Sequence, residues 1–82
     1  MKGYVYILES LKDKKHYIGS TTDISKRLDQ HFKGKVRSTK NRRPLRLKYF
    51  LEYETIKEAY FMEKKFKSSH DSLLRELKKR GL

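Results

Sequence analysis

With no cysteine in its 82 residues, this chain must hold itself together by side-chain burial alone. A domain of this size buries only about 60% of the surface its unfolded chain exposes, close to the lower limit for unaided folding. The lack of thiols also removes a disulfide scaffold, a thiolate zinc site, an iron–sulfur cluster and a catalytic cysteine. Domains usually run to roughly 100–200 residues, so residues 1–82 are read as one domain. Six Tyr and four Phe argue against disorder, where aromatics are scarce. No apolar run approaches the roughly 18 residues a membrane span needs. The start, MKGYVYILES, lacks the apolar stretch of a signal peptide. A soluble, cytoplasmic protein is expected.

The apolar residues fall into a clear order of elements. Residues 3–9, GYVYILE, are β-branched and aromatic and read as a strand. Leu11–Lys15 forms a hairpin connection, His16–Gly19 returns as a second strand, and Gly19-Ser20-Thr21-Thr22 ends it. Asp23 or Thr22 is the N-cap of a helix running to about Lys33, which Gly34 stops. A loop follows to Pro44. Leu45, Leu47, Tyr49, Leu51 and Tyr53 then alternate with a mostly polar face, as in a strand. Thr55 and Glu58 have capping-box spacing and open a helix to about Lys67. Ser68 or Ser69 caps a last helix carrying Leu73, Leu74 and Leu77, which Gly81 ends. The order β-β-α-β-α-α predicts an α+β fold: a small, three-stranded, mostly antiparallel sheet flanked by helices.

Several polar residues stand where apolar ones are expected. At about 100° per residue, Ile56, Ala59, Tyr60 and Phe66 share one stripe of the second helix, and Glu63 falls inside it. Burying a carboxylate costs several kcal/mol unless it is paired or binds a metal. Either Glu63 reaches water or a basic partner at the sheet edge, or it serves a site. In the first helix Ile24, Leu28 and Phe32 make the apolar stripe, with Arg27 and His31 in one row along its edge. A guanidinium and an imidazole there can stabilise phosphate charge and move a proton. The alternative is an exposed Arg and a half-buried His. On the strands, Tyr4, Tyr6 and Leu8 share a face, as do Tyr17 and Gly19, and the glycine permits close backbone approach. Packing alone also explains such tyrosines.

The charge names a partner class. The chain carries 22 Lys and Arg against 10 Asp and Glu, a formal charge of +12. Eight of the basic residues (Lys33, Lys35, Arg37, Lys40, Arg42, Arg43, Arg46 and Lys48) fall between positions 33 and 48, with no acid among them. Phosphate binding by such a run releases condensed counterions, which drives nucleic-acid binding. A solvated loop, a ribosomal contact or an anionic membrane surface are the other readings of the same run.

Taken together, Tyr4-Val5-Tyr6, Tyr17-Ile18-Gly19 about ten residues on, Arg27, His31 and Glu63 resemble the GIY-YIG nuclease domain family. The resemblance covers nearly the whole chain. It is nearest to the small single-domain members, which are similar to the GIY-YIG module of the excinuclease C subunit. One position departs: Tyr4 stands where the first motif has glycine. No accessory DNA-binding domain is expected in so short a chain.

The resemblance implies a phosphodiester hydrolase acting through one divalent metal, Mg²⁺ or Mn²⁺, with Glu63 as its protein ligand. It implies that Arg27 neutralises charge on the phosphoryl oxygens. Tyr17 or Tyr6, or His31 in relay with one of them, would activate water. Lys67, one turn after Glu63, is a further phosphate contact. The basic run would hold the nucleic-acid backbone, DNA rather than RNA, without reading sequence. A repair-related endonuclease, directed by a targeting protein, is expected, with no membrane partner and a monomer by default. A nucleic-acid-binding module without catalysis is the alternative.

Overall fold

The computed structural model describes all 82 residues. Strand β1, Gly3–Ser10, runs up the centre of a three-stranded antiparallel sheet ordered β2-β1-β3. Strand β2 is His16–Thr21 and β3 is Leu45–Tyr53. The helices are α1, Ile24–Phe32, α2, Ile56–Ser68, and α3, His70–Lys79. The expected fold class and element order hold. Of the expected caps, Asp23 rather than Thr22 closes the start of α1 by accepting from the Lys26 amide, Thr55 caps α2, and Ser69 rather than Ser68 caps α3. Gly34, at φ +74°, turns the chain away after α1.

Alternation sorts the sheet into two layers. Val5 and Ile7 of β1, with Leu51 and Tyr53 of β3, form the main core with Ala59, Phe66, Leu73 and Leu77 of α2 and α3. Tyr6 and Leu8, both essentially fully buried, face the other way, toward α1. Register follows the same rule: Tyr6 pairs with Gly19 and Leu8 with Tyr17 on the α1 face, while Val5 pairs with Ser20 on the α2 face.

Four expectations need correction. Strand β2 continues two residues past Gly19, because Ser20 and Thr21 still pair with Val5 and Tyr4. The single apolar face expected of β3 is split. Ile7 pairs with Tyr49 but Leu8 with Leu47, so a bulge at Lys48 sends Leu47 to the α1 side and leaves Tyr49, Leu51 and Tyr53 on the main core. Phe32 and Tyr60, placed on buried stripes, are 44% and 53% exposed, because the centre of each buried stripe is taken by other residues, His31 in α1 and Ala59 and Phe66 in α2, and these two lie at its margin. Finally, the segment from 33 to 44 is more than a solvated loop. It buries Val36 and Thr39 and carries a 3₁₀ turn at Lys40–Arg42.

Candidate active site

Tyr6 is placed by β1 with its ring lying against Gly19 on the paired strand. A Cβ at position 19 would collide with the Tyr6 ring and hydroxyl, so only glycine leaves room for it. The hydroxyl is the focus of a hydrogen-bonded cluster. His31 Nε2 lies 2.8 Å from Tyr6 Oη, and Arg27 Nε donates to the same oxygen at 3.2 Å. Both come from α1, four residues apart and so on one face. Tyr17 completes the group, its ring centroid 5.3 Å from His31 and 6.4 Å from Tyr6. Arg27 NH1 also donates to Gln30 Oε1 at 3.3 Å, which steadies the guanidinium.

His31 is fully buried, not at the edge of a stripe as the sequence suggested. Its Nδ1 lies 2.7 Å from Thr39 Oγ1, and Thr39 is itself fully buried. A buried hydroxyl proton left without an acceptor is costly. We assign Thr39, whose hydroxyl has no other partner, as donor to Nδ1; this puts the imidazole proton on Nε2, donating to Tyr6, and leaves the Tyr6 proton for water or substrate. The Tyr6 oxygen then receives two N–H donors. Burial first, and then the Arg27 charge, hold His31 at a pKa of about 4, so the ring is neutral at pH 7. Burial pushes Tyr6 above the usual phenol value, opposed by its hydrogen bond from Arg27. Arg27 in turn is held more firmly protonated, chiefly by that bond to Tyr6.

Glu63 comes from the opposite layer. Its carboxylate, with a side chain 19% exposed, accepts from the Ser20 hydroxyl on the α2 face of β2 and from Lys67 Nζ at 2.7 Å. Lys67 reaches round the edge strand to within 5.9 Å of the Tyr17 ring centroid. Glu63 thus meets the cluster across β2, close enough for its charge to raise Tyr6. Both readings of this residue from sequence are partly present: it has a basic partner, and it borders the cluster. A carboxylate and a hydroxyl, hard oxygens with water within reach, suit a hard divalent cation that keeps several waters.

The basic run divides by role. Lys33, Lys35, Arg37, Lys40, Arg43 and Arg46 are exposed, while Arg42 and Lys48 are partly covered. Arg42 is tied inward: its carbonyl accepts from Ser10 Oγ at 2.6 Å, and its guanidinium donates to the His16 carbonyl. Arg46 is held by Glu9 at 2.7 Å. Sequence reading missed Thr39 and Ser20. Both are hydroxyl residues that ordinarily cap turns, and nothing local marks them as partners of a histidine and a glutamate distant in the chain.

Strand-borne tyrosines, a helix arginine and histidine, and a later glutamate at one sheet edge define a family. The GIY-YIG catalytic domain family matches residues 2–78, and the chain belongs to that family, a family of nucleases that generally use a divalent metal. Its relatives are more particular. A UPF0213 protein of Streptococcus pyogenes serotype M3 is 40% identical over 67 residues, covering 80% of this chain and 72% of its own. Another, from Syntrophus aciditrophicus, is 52% identical over 48 residues, 56% of this chain, and the match spans 54% of that relative's length. The solution NMR structure of a UPF0213 protein from Bacillus halodurans is 36% identical, with a TM-score of 0.58, covering 95% of this chain and 86% of that one. No helix is long and apolar enough to cross a membrane.

Proposed function

We propose that this domain is an endonuclease that hydrolyses phosphodiester bonds of DNA with Mg²⁺, or Mn²⁺, held by Glu63. The observation that carries the reading is the Tyr6 oxygen, which accepts from Arg27 Nε and lies 2.8 Å from His31 Nε2, assigned above as a second donor. Two N–H donors stabilise a phenolate far better than a phenol, since the bonds to a charged oxygen are about twice as strong. Tyr6 would take the proton of the attacking water as a phenolate, its own proton having first passed to solvent. Arg27 would neutralise charge gathering on the phosphoryl oxygens. His31, neutral, would hold Tyr6 in place and bear none of the charge itself. Tyr17 would line the approach to water and substrate. When bound at Glu63, the metal would polarise the phosphate and stabilise the leaving oxygen. Lys67, freed from the carboxylate, would contact phosphate.

The exposed basic residues from Lys33 to Arg46 favour a second reading, in which the chain binds nucleic acid and does not cut it. Location in the cytoplasm, a repair role and a targeting partner are proposed on the likeness to the excinuclease C module alone. The test is metal-dependent cleavage of labelled DNA by the wild-type chain, Glu63→Ala and Arg27→Ala. Cleavage that requires metal and falls by at least about a hundredfold in both variants supports catalysis. Cleavage unchanged in Glu63→Ala would sink it, and binding without cleavage on every substrate would leave the second reading.

A further inference from the structure

Beside the cluster lies a concavity of about 650 Å³, within the roughly 300–1,000 Å³ range of ligand pockets. Tyr4, Thr21, Ile24, Lys26, Arg27 and Gln30 are among the residues that line it. Phe50, outside the lining and 49% exposed, has its ring centroid 6.4 Å from that of Tyr4. The lining includes the exposed Lys26 and the Arg27 whose guanidinium reaches Tyr6. The one acid on the rim, Asp23, is engaged in capping α1. Tyr4 is also the position at which this chain departs from its family's motif.

An aromatic ring and two cations lining one concavity match a nucleotide, whose flat base and anionic phosphate stand a short distance apart. A base inside a duplex has both faces covered by its neighbours. Only an unpaired base has a face free to lie on a protein ring. We propose that this cavity seats one unpaired nucleotide, its base on Tyr4 and Phe50 and its phosphate at Arg27 and Lys26. The substrate class is then nucleic acid with an unpaired nucleotide at the site, such as a single strand, flap or bulge, and not continuous duplex. The placement beside Tyr6 rests on the nuclease reading; the binding itself does not.

The experiment measures binding in EDTA, so cleavage plays no part. The probes are a short oligodeoxythymidine carrying one 2-aminopurine and a blunt hairpin duplex of matched charge, at one salt concentration. The whole chain is compared with Tyr4→Ala, Tyr4→Phe and Phe50→Ala, the last lying half-exposed on an edge strand, where folding is least at risk. The single strand should bind roughly tenfold more tightly than the duplex, with 2-aminopurine quenched on binding. Tyr4→Ala and Phe50→Ala should each lose roughly 5- to 100-fold on the single strand, with little change on the duplex, and Tyr4→Phe should restore binding. Equal affinity for both probes, or alanine variants that bind the single strand as wild type does, would overturn the proposal. In a separate reaction with Mg²⁺, failure to cleave any substrate beside a single-strand preference in EDTA would overturn the nuclease reading alone, and cleavage beside equal affinity for both probes would overturn this one alone.

Discussion

His31 would be protonated by half near pH 6.5 in an unfolded chain, and the fold holds it neutral to about pH 4. Between those values the unfolded chain binds the extra proton, so folding stability is full above pH 6.5 and falls as pH drops toward 4. The loss is about 3 kcal/mol at most. Urea unfolding at pH 7 and pH 4.5 should show a larger fall for wild type than for His31→Gln; equal falls would contradict the buried, neutral ring. Thr39 gives the second test. Nitrogen chemical shifts of His31 should report the Nε2–H tautomer, kept in Thr39→Ser and lost as a single state in Thr39→Val. That second variant should also cost about 1–3 kcal/mol for its orphaned buried nitrogen. An Nδ1–H tautomer in the wild type would overturn the assignment. Legibility at this scale followed chemistry. Glu63 was conspicuous because a carboxylate on an apolar stripe needs water, a basic partner or a metal to be tolerated there. His31 was legible in position but not in depth, because its burial depends on Thr39, brought in by a segment with no periodicity of its own.

At the scale of elements, helices were the readable part, since caps and stops are local chemistry. Strand β3 was legible as a strand, but its bulge was not, because pairing register is a property of two strands and β1 lies some forty residues away. The segment from 33 to 44 was read through its charge, and its buried Val36 and Thr39 were masked by the surrounding lysines and arginines. Anchored by Thr39 to His31 and by the Arg42 carbonyl to Ser10, it presents a fixed array of cations. Lys35 and Arg37 are among its exposed members. Replacing both by alanine should reduce the slope of log binding constant against log salt by about 2, without changing preference among sequences. Titration at several salt concentrations checks this, and an unchanged slope would remove these two from the phosphate contacts.

The whole molecule measures 30 × 27 × 21 Å, and one shared strand, β1, supplies both layers. Its main core therefore has little redundancy. Total stabilities run to roughly 0.05–0.15 kcal/mol per residue, and removing a buried Phe ring costs about 3–5 kcal/mol. Phe66→Ala should thus lower the thermal midpoint by on the order of 20 °C, while Leu74→Ala, half-exposed on α3, should lower it by only a few degrees. Circular dichroism melts decide it; similar melts for the two would mean that the core lies elsewhere. The same division explains why the site could be listed from sequence but not assembled: Tyr6 and Glu63 belong to opposite layers, and only the sheet order brings them to one edge.

That sheet order also leaves two strands with an unpaired flank. Along β3, the more open of them, Arg46 and Lys48 stand among Leu45, Leu47, Tyr49 and Phe50, a stretch otherwise suited to recruiting another strand. Charged side chains on an outer strand discourage edge-to-edge joining of copies. Two residues grouped with the phosphate contacts thereby act also as gatekeepers against self-association, and neutralising them would expose the chain to aggregation as well as to weaker binding.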